Sequence, residues 1–212
     1  MSKRTHVPVV GIVGGIGSGK SSVARWVASR HGDVLVINGD EVGHEVLKIP
    51  SVIHAVQERF GPEALDAGGQ VDRRALGQIV FGPHNEQQRA RHDLEQIVHP
   101  RIRETFEKRI AEAVAAGRRA VLLDAAVLFE AGWNDLCHAI VFVDVPRPVR
   151  LARLQNGRGW SEADVERREK SQQSVEQKRL RADSIIENND SLEAAGEQLE
   201  AILKRVREET PS

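Results

Sequence analysis

Gly14-Gly15-Ile16-Gly17-Ser18-Gly19-Lys20-Ser21 completes the pattern G-x-x-x-x-G-K-S/T, and its surroundings give the pattern a structural setting. The glycines permit left-handed backbone and bring N–H groups close to a polyphosphate. Lys20 supplies a compact, mobile positive charge for the β- and γ-phosphates, and the Ser21 hydroxyl suits a hard Mg²⁺ ion. Immediately before the loop, Val7, Val9, Val10, Ile12 and Val13 make a short β-branched run, the pattern of a buried strand. After it, Val23, Trp26, Val27 and Arg30 recur at helical spacing, so the loop opens a helix whose N-terminus also attracts anions. Strand, glycine loop and helix in that order predict a nucleoside triphosphate site. Its contacts are expected from Gly15, Ile16, Gly17, Ser18, Gly19, Lys20, Ser21 and Ser22, with Ser21 on the metal.

Three more apolar runs lie further along: Val34-Leu35-Val36-Ile37, Ala120-Val121-Leu122-Leu123, and Ala139-Ile140-Val141-Phe142-Val143 closed by Pro146. Runs without polar alternation suit strands covered on both faces, as in a parallel sheet between helices. Ser184-Ile185-Ile186 reads as a short last strand. The expected fold is therefore α/β, a three-layer α/β/α P-loop architecture with right-handed crossovers.

The strands are unevenly spaced. Residues 41–118 read as almost wholly helical, with Val52, Ala55, Val56 and Phe60 on one face and Ala75, Leu76, Ile79 and Val80 on another. Gly61-Pro62, Gly68-Gly69 and Gly82-Pro83 punctuate the stretch. It is too long for a crossover and too apolar for a disordered loop, so it is expected to be an inserted helical lobe beside the strand ends, where ligands of open α/β sheets bind. The core then comprises residues 7–40, 119–146 and 183–208, and residues 147–182 form a lid. Leu192, Ala195, Leu199, Ile202 and Val206 make one stripe of a C-terminal packing helix.

Thirty basic residues against 31 acidic leave a formal net charge of −1 in 212 residues, which gives no general reason to expect nucleic acid or a membrane surface as partner. The one cysteine, Cys137, excludes an intramolecular disulfide framework and reads as a small core residue. Met1-Ser2-Lys3-Arg4 leads into the first strand without a long apolar segment, so a cytoplasmic protein is expected. A monomer or weak homo-oligomer is the accompanying expectation.

A phosphate loop leaves the reaction open. Asp40 follows the second strand, where the fold brings carboxylates to the C-terminal edge of the sheet; it suits a base that takes a proton from an attacking hydroxyl or a carboxylate that helps position Mg²⁺ through water, and an N-cap for a helix from Glu41 is compatible with either. Asp124 ends the third strand in the position of a Walker-B carboxylate. His99-Pro100 is read as the start of a helix, with His99 either a substrate contact or a turn-forming histidine hydrogen-bonded to backbone. Between Arg147 and Arg181 basic residues outnumber acidic ones, and arginines on a mobile lid stabilise charge in phosphoryl transfer. Arg153 and Arg158 are the chosen candidates, with Asn156-Gly157-Arg158-Gly159 as the turn at the lid tip.

These residues together resemble the dephospho-CoA kinase family over nearly the whole chain. Residues 10–22 are similar to its opening GLTGGIGSGKST; Asp40 matches the second acid of its D-A-D; His99-Pro100-Arg101-Ile102 matches H-P-x-I; and Asp124 to Glu130 is similar to D-x-P-L-L-F-E. Gln172, Lys178, Ala182-Asp183 and Asn188 match a later Q…K…A-D…N series. Asn38 stands where the family has the first acid, Ala126 where it has proline, and Arg158 lies one position from the arginine of R-D-G-L/W-S. The resemblance implies ATP with Mg²⁺ as donor, dephospho-CoA as the small-molecule acceptor, Asp40, Lys20 and Arg158 in catalysis, Asn188 at the nucleotide, and His99, Asp124, Leu128 and Glu130 at the acceptor.

Another small P-loop kinase, acting on a nucleoside monophosphate or small alcohol, shares the loop, lobe and lid. A GTP-binding switch does not fit, because Asp40-Glu41-Val42-Gly43 follows the loop too closely and no N-K-x-D motif is present. A nucleotide-binding regulator without turnover is opposed by Lys20, Ser21 and Asp40.

Overall fold

Val9–Gly14 (β1) is buried at every position, as its unbroken apolar run predicts, and it lies at the centre of a five-stranded sheet. The computed structural model describes residues 7–82 and 84–209. Met1-Ser2-Lys3-Arg4 and Pro83 of the Gly82-Pro83 break lie outside the described residues. The other strands are β2 (Val34–Asn38), β3 (Ala120–Asp124), β4 (Ala139–Asp144) and β5 (Ser184–Glu187), in the order β2-β3-β1-β4-β5 with every pair parallel. In register, Ile12 lies beside Asp124, and Asp124 beside Asn38, so the C-terminal ends of β1, β2 and β3 meet at one edge.

Lys20–Arg30 (α1) and Leu192–Glu209 (α9) pack on one face of the sheet. Val23, Ala24 and Val27 of α1 share a core with Ala195, Leu199, Leu203 and Val206 of α9 and with Val10, Ile12, Leu122, Val141 and Val143 of the strands. Gly196 admits the Trp26 ring, which a Cβ at that position would strike. Leu192, assigned to this stripe by spacing, is 40% exposed, and Leu203 takes its place in the core. At the other side chains of β1, the absence of a Cβ on Gly11 leaves space for Leu128 and Cys137. Burial pushes the Cys137 thiol up to about 12, so it stays protonated and serves packing.

Between β2 and β3 run Gly39–Val46 (α2), Pro50–Phe60 (α3), Arg73–Val80 (α4) and Asn85–Ala115 (α5). Pro50 opens α3 at a position whose N–H has no helical partner, and the Asp72 side chain caps α4 by accepting from Arg74 and Ala75. His99-Pro100 does not start a helix: α5 is continuous through Pro100, which leaves the Gln96 carbonyl without its usual N–H. Proline is favoured in a first turn, which is why the local pattern suggested a helix start, but a long helix tolerates one internally.

Arg147–Arg158 (α6), Glu162–Glu169 (α7) and Val175–Leu180 (α8) follow β4. Residues 156–158 belong to the last turn of α6; the chain turns at Gly159, whose φ of +66° makes it the C-cap, and Ser161 then starts α7 with a capping box to Asp164. The chain divides into two units, one of Met1–Gly39 with Glu107–Ser212 and one of Asp40–Phe106.

Candidate functional site

The loop between β1 and α1 is shaped by two glycines with left-handed backbone, Gly17 at φ +81° and Gly19 at φ +84°. Gly19 is the N-cap of α1, so Lys20 and Ser21 begin the helix directly after the loop, and a helix N-terminus attracts anions. The loop's carbonyls are taken up one by one. Gly15 O accepts from Ser18 N at 3.1 Å, Ile16 O from Arg150 Nη1 at 3.0 Å, and Ser18 O from Asn188 Nδ2 at 2.8 Å. Held in this shape by neighbouring groups, a glycine loop is suited to form an anion nest. Ser18 Oγ is buried and, among the described residues, has no hydrogen-bond partner. An orphaned hydroxyl within a glycine cradle at a helix N-terminus fits a polyphosphate.

At the sheet edge the Ser21 hydroxyl donates to Asp124 Oδ2, and Asn38 Nδ2 donates to the same oxygen at 3.1 Å. Asp124 is 4% exposed. A hydroxyl and a carboxylate, both hard oxygen donors, therefore meet beside the phosphate cradle, and they suit Mg²⁺.

A second polar cluster lies behind α8. Lys178, 2% exposed at its side chain, pairs with Glu130 at 3.0 Å and donates to the Ala126 carbonyl at 2.6 Å and to Gln172 at 3.0 Å. Glu130 also accepts from the Gln173 backbone at 2.7 Å. The turn after β3 and the segment joining α7 to α8 are thus tied together.

The chain matches the family model described as dephospho-CoA kinase over residues 8–194. The dephospho-CoA kinase of Bacillus licheniformis is 36% identical over 197 residues, covering 92% of this chain and 94% of that protein. That of Corynebacterium diphtheriae is 38% identical over 185 residues, covering 86% and 89%. The chain belongs to the dephospho-CoA kinase family. It is accordingly a kinase, an ATP-using phosphotransferase acting on a small molecule. A crystal structure from Thermus thermophilus superposes with a TM-score of 0.79 at 32% identity, covering 94% of this chain and 98% of the other. The dephospho-CoA kinase of Campylobacter jejuni, at TM-score 0.60 and 21% identity over 93% and 96%, shares the fold. Among the described residues no helix is long and apolar enough to cross a membrane.

Within this family member, Gly15 to Ser22, Asn38, Asp124 and Asn188 gather around one loop, although they come from distant parts of the chain. Asn188 grips the loop backbone; its side chain is engaged by the Ser18 carbonyl, while its own carbonyl accepts from Arg153 at 2.8 Å. Arg153 thereby sits behind the loop as well. Asp40 is the second residue of α2, inside its first turn and not its N-cap, where a carboxylate meets the positive end of the helix. His99 lies mid-way along α5, and burial lowers its pKa, with Glu95 opposing and Arg91 adding to the shift.

Leu128 requires a correction. Its side chain is fully buried against Gly11, so it belongs to the core and offers no surface to an acceptor. The stretch that carries the D-x-P-L-L-F-E resemblance thus includes a packing residue. Glu130 is engaged by Lys178 and Gln173. Arg158 is exposed and stacks over Trp160 at 5.0 Å, with Arg168 over the same ring at 4.1 Å.

The residue that sequence reading passed over is Arg150. It was one arginine among many in a charged segment, yet it is 4% exposed and lies against the loop. The available signal was its spacing: Arg150 and Leu154, four residues apart, are the two buried positions of α6.

Proposed function

We propose that the chain transfers the γ-phosphoryl group of ATP to the 3′-hydroxyl of the ribose of dephospho-CoA, giving coenzyme A and ADP, the last step of coenzyme A synthesis. The observation that carries this reading is the Ser21–Asp124 contact beside the glycine cradle, in a chain that matches the family from residue 8 to 194. The loop N–H groups hold the phosphates, and Lys20 neutralises charge on the transferring group. Ser21 and Asp124 would hold Mg²⁺, their hydroxyl and carboxylate being the hard oxygen donors that ion takes. When bound, the ion screens the phosphates and draws charge from the leaving oxygen. Asp124 is thereby assigned to the donor side of the reaction and not to the acceptor.

Asp40 takes the proton from the 3′-hydroxyl as that oxygen bonds to the γ-phosphorus and the bond to the β–γ bridging oxygen breaks. With Asn38 in place of the family's first acid, Asp40 acts as a single carboxylate. Arg158 offsets charge on the transferring group from the lid, residues 147–182, and His99 contacts the acceptor from the helical lobe, residues 41–118. The protein works in the cytoplasm as a monomer or weak homo-oligomer, without nucleic acid.

The test is ATP consumption against dephospho-CoA, AMP, CMP, shikimate and pantothenate, with products identified by mass. Turnover confined to dephospho-CoA, with coenzyme A as product, is expected. Turnover of another acceptor under conditions that leave dephospho-CoA unreacted would overturn the assignment.

A further inference from the structure

Arg150 is a buried cation held by three acceptors on different parts of the chain. Its Nη1 reaches Ile16 O at 3.0 Å and Glu169 Oε1 at 2.6 Å, and its Nε reaches Val145 O at 3.3 Å. Ile16 is in the phosphate loop, Val145 follows β4, and Glu169 is the last residue of α7. The other Glu169 oxygen lies 3.8 Å from Arg147, whose guanidinium also meets Glu162 at 2.6 Å and Glu166 at 3.6 Å. The contact with the loop is close. A Cβ on Gly15 would stand 2.7 Å from Arg150 Nη1, and a Cβ on Gly17 would stand 2.9 Å from the Arg150 carbonyl and from Leu154 Cγ.

We propose that Arg150 is a positioning residue for the nucleotide: it ties α7, through Glu169, to the Ile16 carbonyl and so sets the donor geometry of the phosphate loop. Ile16 lies in the stretch whose N–H groups meet the phosphates, and rotation of its peptide would move a carbonyl toward them and an N–H away. The guanidinium blocks that rotation because its planar fork serves two acceptors from one nitrogen while Nε is fixed by a third. Glu169 neutralises Arg150 in place, which allows a cation to remain buried there. A change at α7 therefore reaches the phosphates through two hydrogen bonds.

The proposal rests on the reading of the loop as an ATP site, and its test uses ADP with Mg²⁺, whose binding requires no acceptor. Calorimetry would compare the wild type, Arg150→Lys, Glu169→Gln and the double variant, with melting temperature and KM for ATP and for dephospho-CoA measured alongside. Each single change should weaken ADP binding by about tenfold, the size of one charge-assisted hydrogen bond. The double variant should be no weaker than the weaker single, and KM for dephospho-CoA should stay unchanged. Lysine should not substitute for Arg150, because a single ammonium nitrogen cannot hold Ile16 O and Glu169 while a second nitrogen is fixed on Val145 O as Nε is. Unchanged ADP affinity in both singles, even with a lower melting temperature, would reduce Arg150 to packing and overturn the proposal, as would a double variant equal to the product of the singles. Where Arg150→Lys yields no folded protein, Glu169→Gln, at a partly exposed side chain, decides the matter alone. A wild type that fails to bind ADP overturns the ATP reading and the proposal with it, whereas failure with dephospho-CoA alone leaves the ADP result standing.

Discussion

The Ser21 hydroxyl donates to Asp124 Oδ2 across 103 positions of sequence, joining the first turn of α1 to the end of β3. Asn38 donates to the same oxygen from the end of β2. An acid at position 38 would set two carboxylates against each other, whereas asparagine leaves Asp124 with a donor on each side. Asp124→Asn removes the charge and keeps the shape. It should lower kcat by about 10²-fold and raise the Mg²⁺ concentration for half-maximal turnover, as expected when charge at a phosphoryl-transfer site is lost. Metal titrations of the two proteins check this, and superimposable curves would remove Asp124 from the metal site.

Asp40→Asn should reduce kcat by about 10²- to 10⁴-fold, the usual weight of a general base, with ATP affinity unchanged. A base acts in the transition state, so the loss belongs in kcat and not in nucleotide binding. Steady-state kinetics with a separate measurement of ATP binding decides it; undiminished turnover excludes Asp40 as the base.

Gly19→Ala should both destabilise the protein and weaken ATP binding. The left-handed backbone at φ +84° costs a side-chain-bearing residue about 1–2 kcal/mol, and the new Cβ would stand 2.6 Å from Asn188 Nδ2. Gly157→Ala is the opposite case, in the last turn of α6 with open space around it, and should gain about 0.5–1 kcal/mol from helix propensity. Denaturant unfolding of both variants tests the contrast in sign.

Lys178→Met should cost about 2–3 kcal/mol, below the usual figure for a broken buried pair because Glu130 keeps some access to water. The Ala126 carbonyl and Gln172 also lose their donor. Urea unfolding measures the loss, and a change below 1 kcal/mol, which is about the worth of an exposed ion pair, would show that the pair carries little.

His99 is held below its ordinary pKa of 6.5, chiefly by burial. The unfolded chain therefore binds the proton more readily, and stability falls as pH is lowered through 6.5 until the folded form also protonates. His99→Gln should flatten this part of the stability curve. Melting temperatures of both proteins across pH 5 to about 8 provide the comparison, the interval in which histidine changes charge; parallel curves would mean that His99 does not contribute.

Much of the fold was legible because its signals are local. Apolar runs gave the strands, glycine and proline the breaks, and Lys20 and Ser21 fell at the start of α1 as the loop pattern requires. Legibility ended where a residue's role depends on what lies opposite it. His99-Pro100 looks like a helix start over a few residues and is the middle of a long helix. Leu128 and Asp124 stand four residues apart in one motif, yet one is core and the other faces Ser21.

Arg150 and Arg158 mark the division most clearly. Both are arginines of one helix in a charged segment, and side-chain chemistry alone treats them as equals. The periodicity of the strands and the spacing of the loop sufficed for an α/β P-loop chain, because hydrogen-bonded backbone and apolar burial act over a few residues. Which arginine lies behind the loop was decided only in the packed protein, where β4 directs α6 against Gly15 and Gly17. Burial, a Glu169 partner and an Ile16 carbonyl are properties of juxtaposed segments. They exist only once the chain has folded.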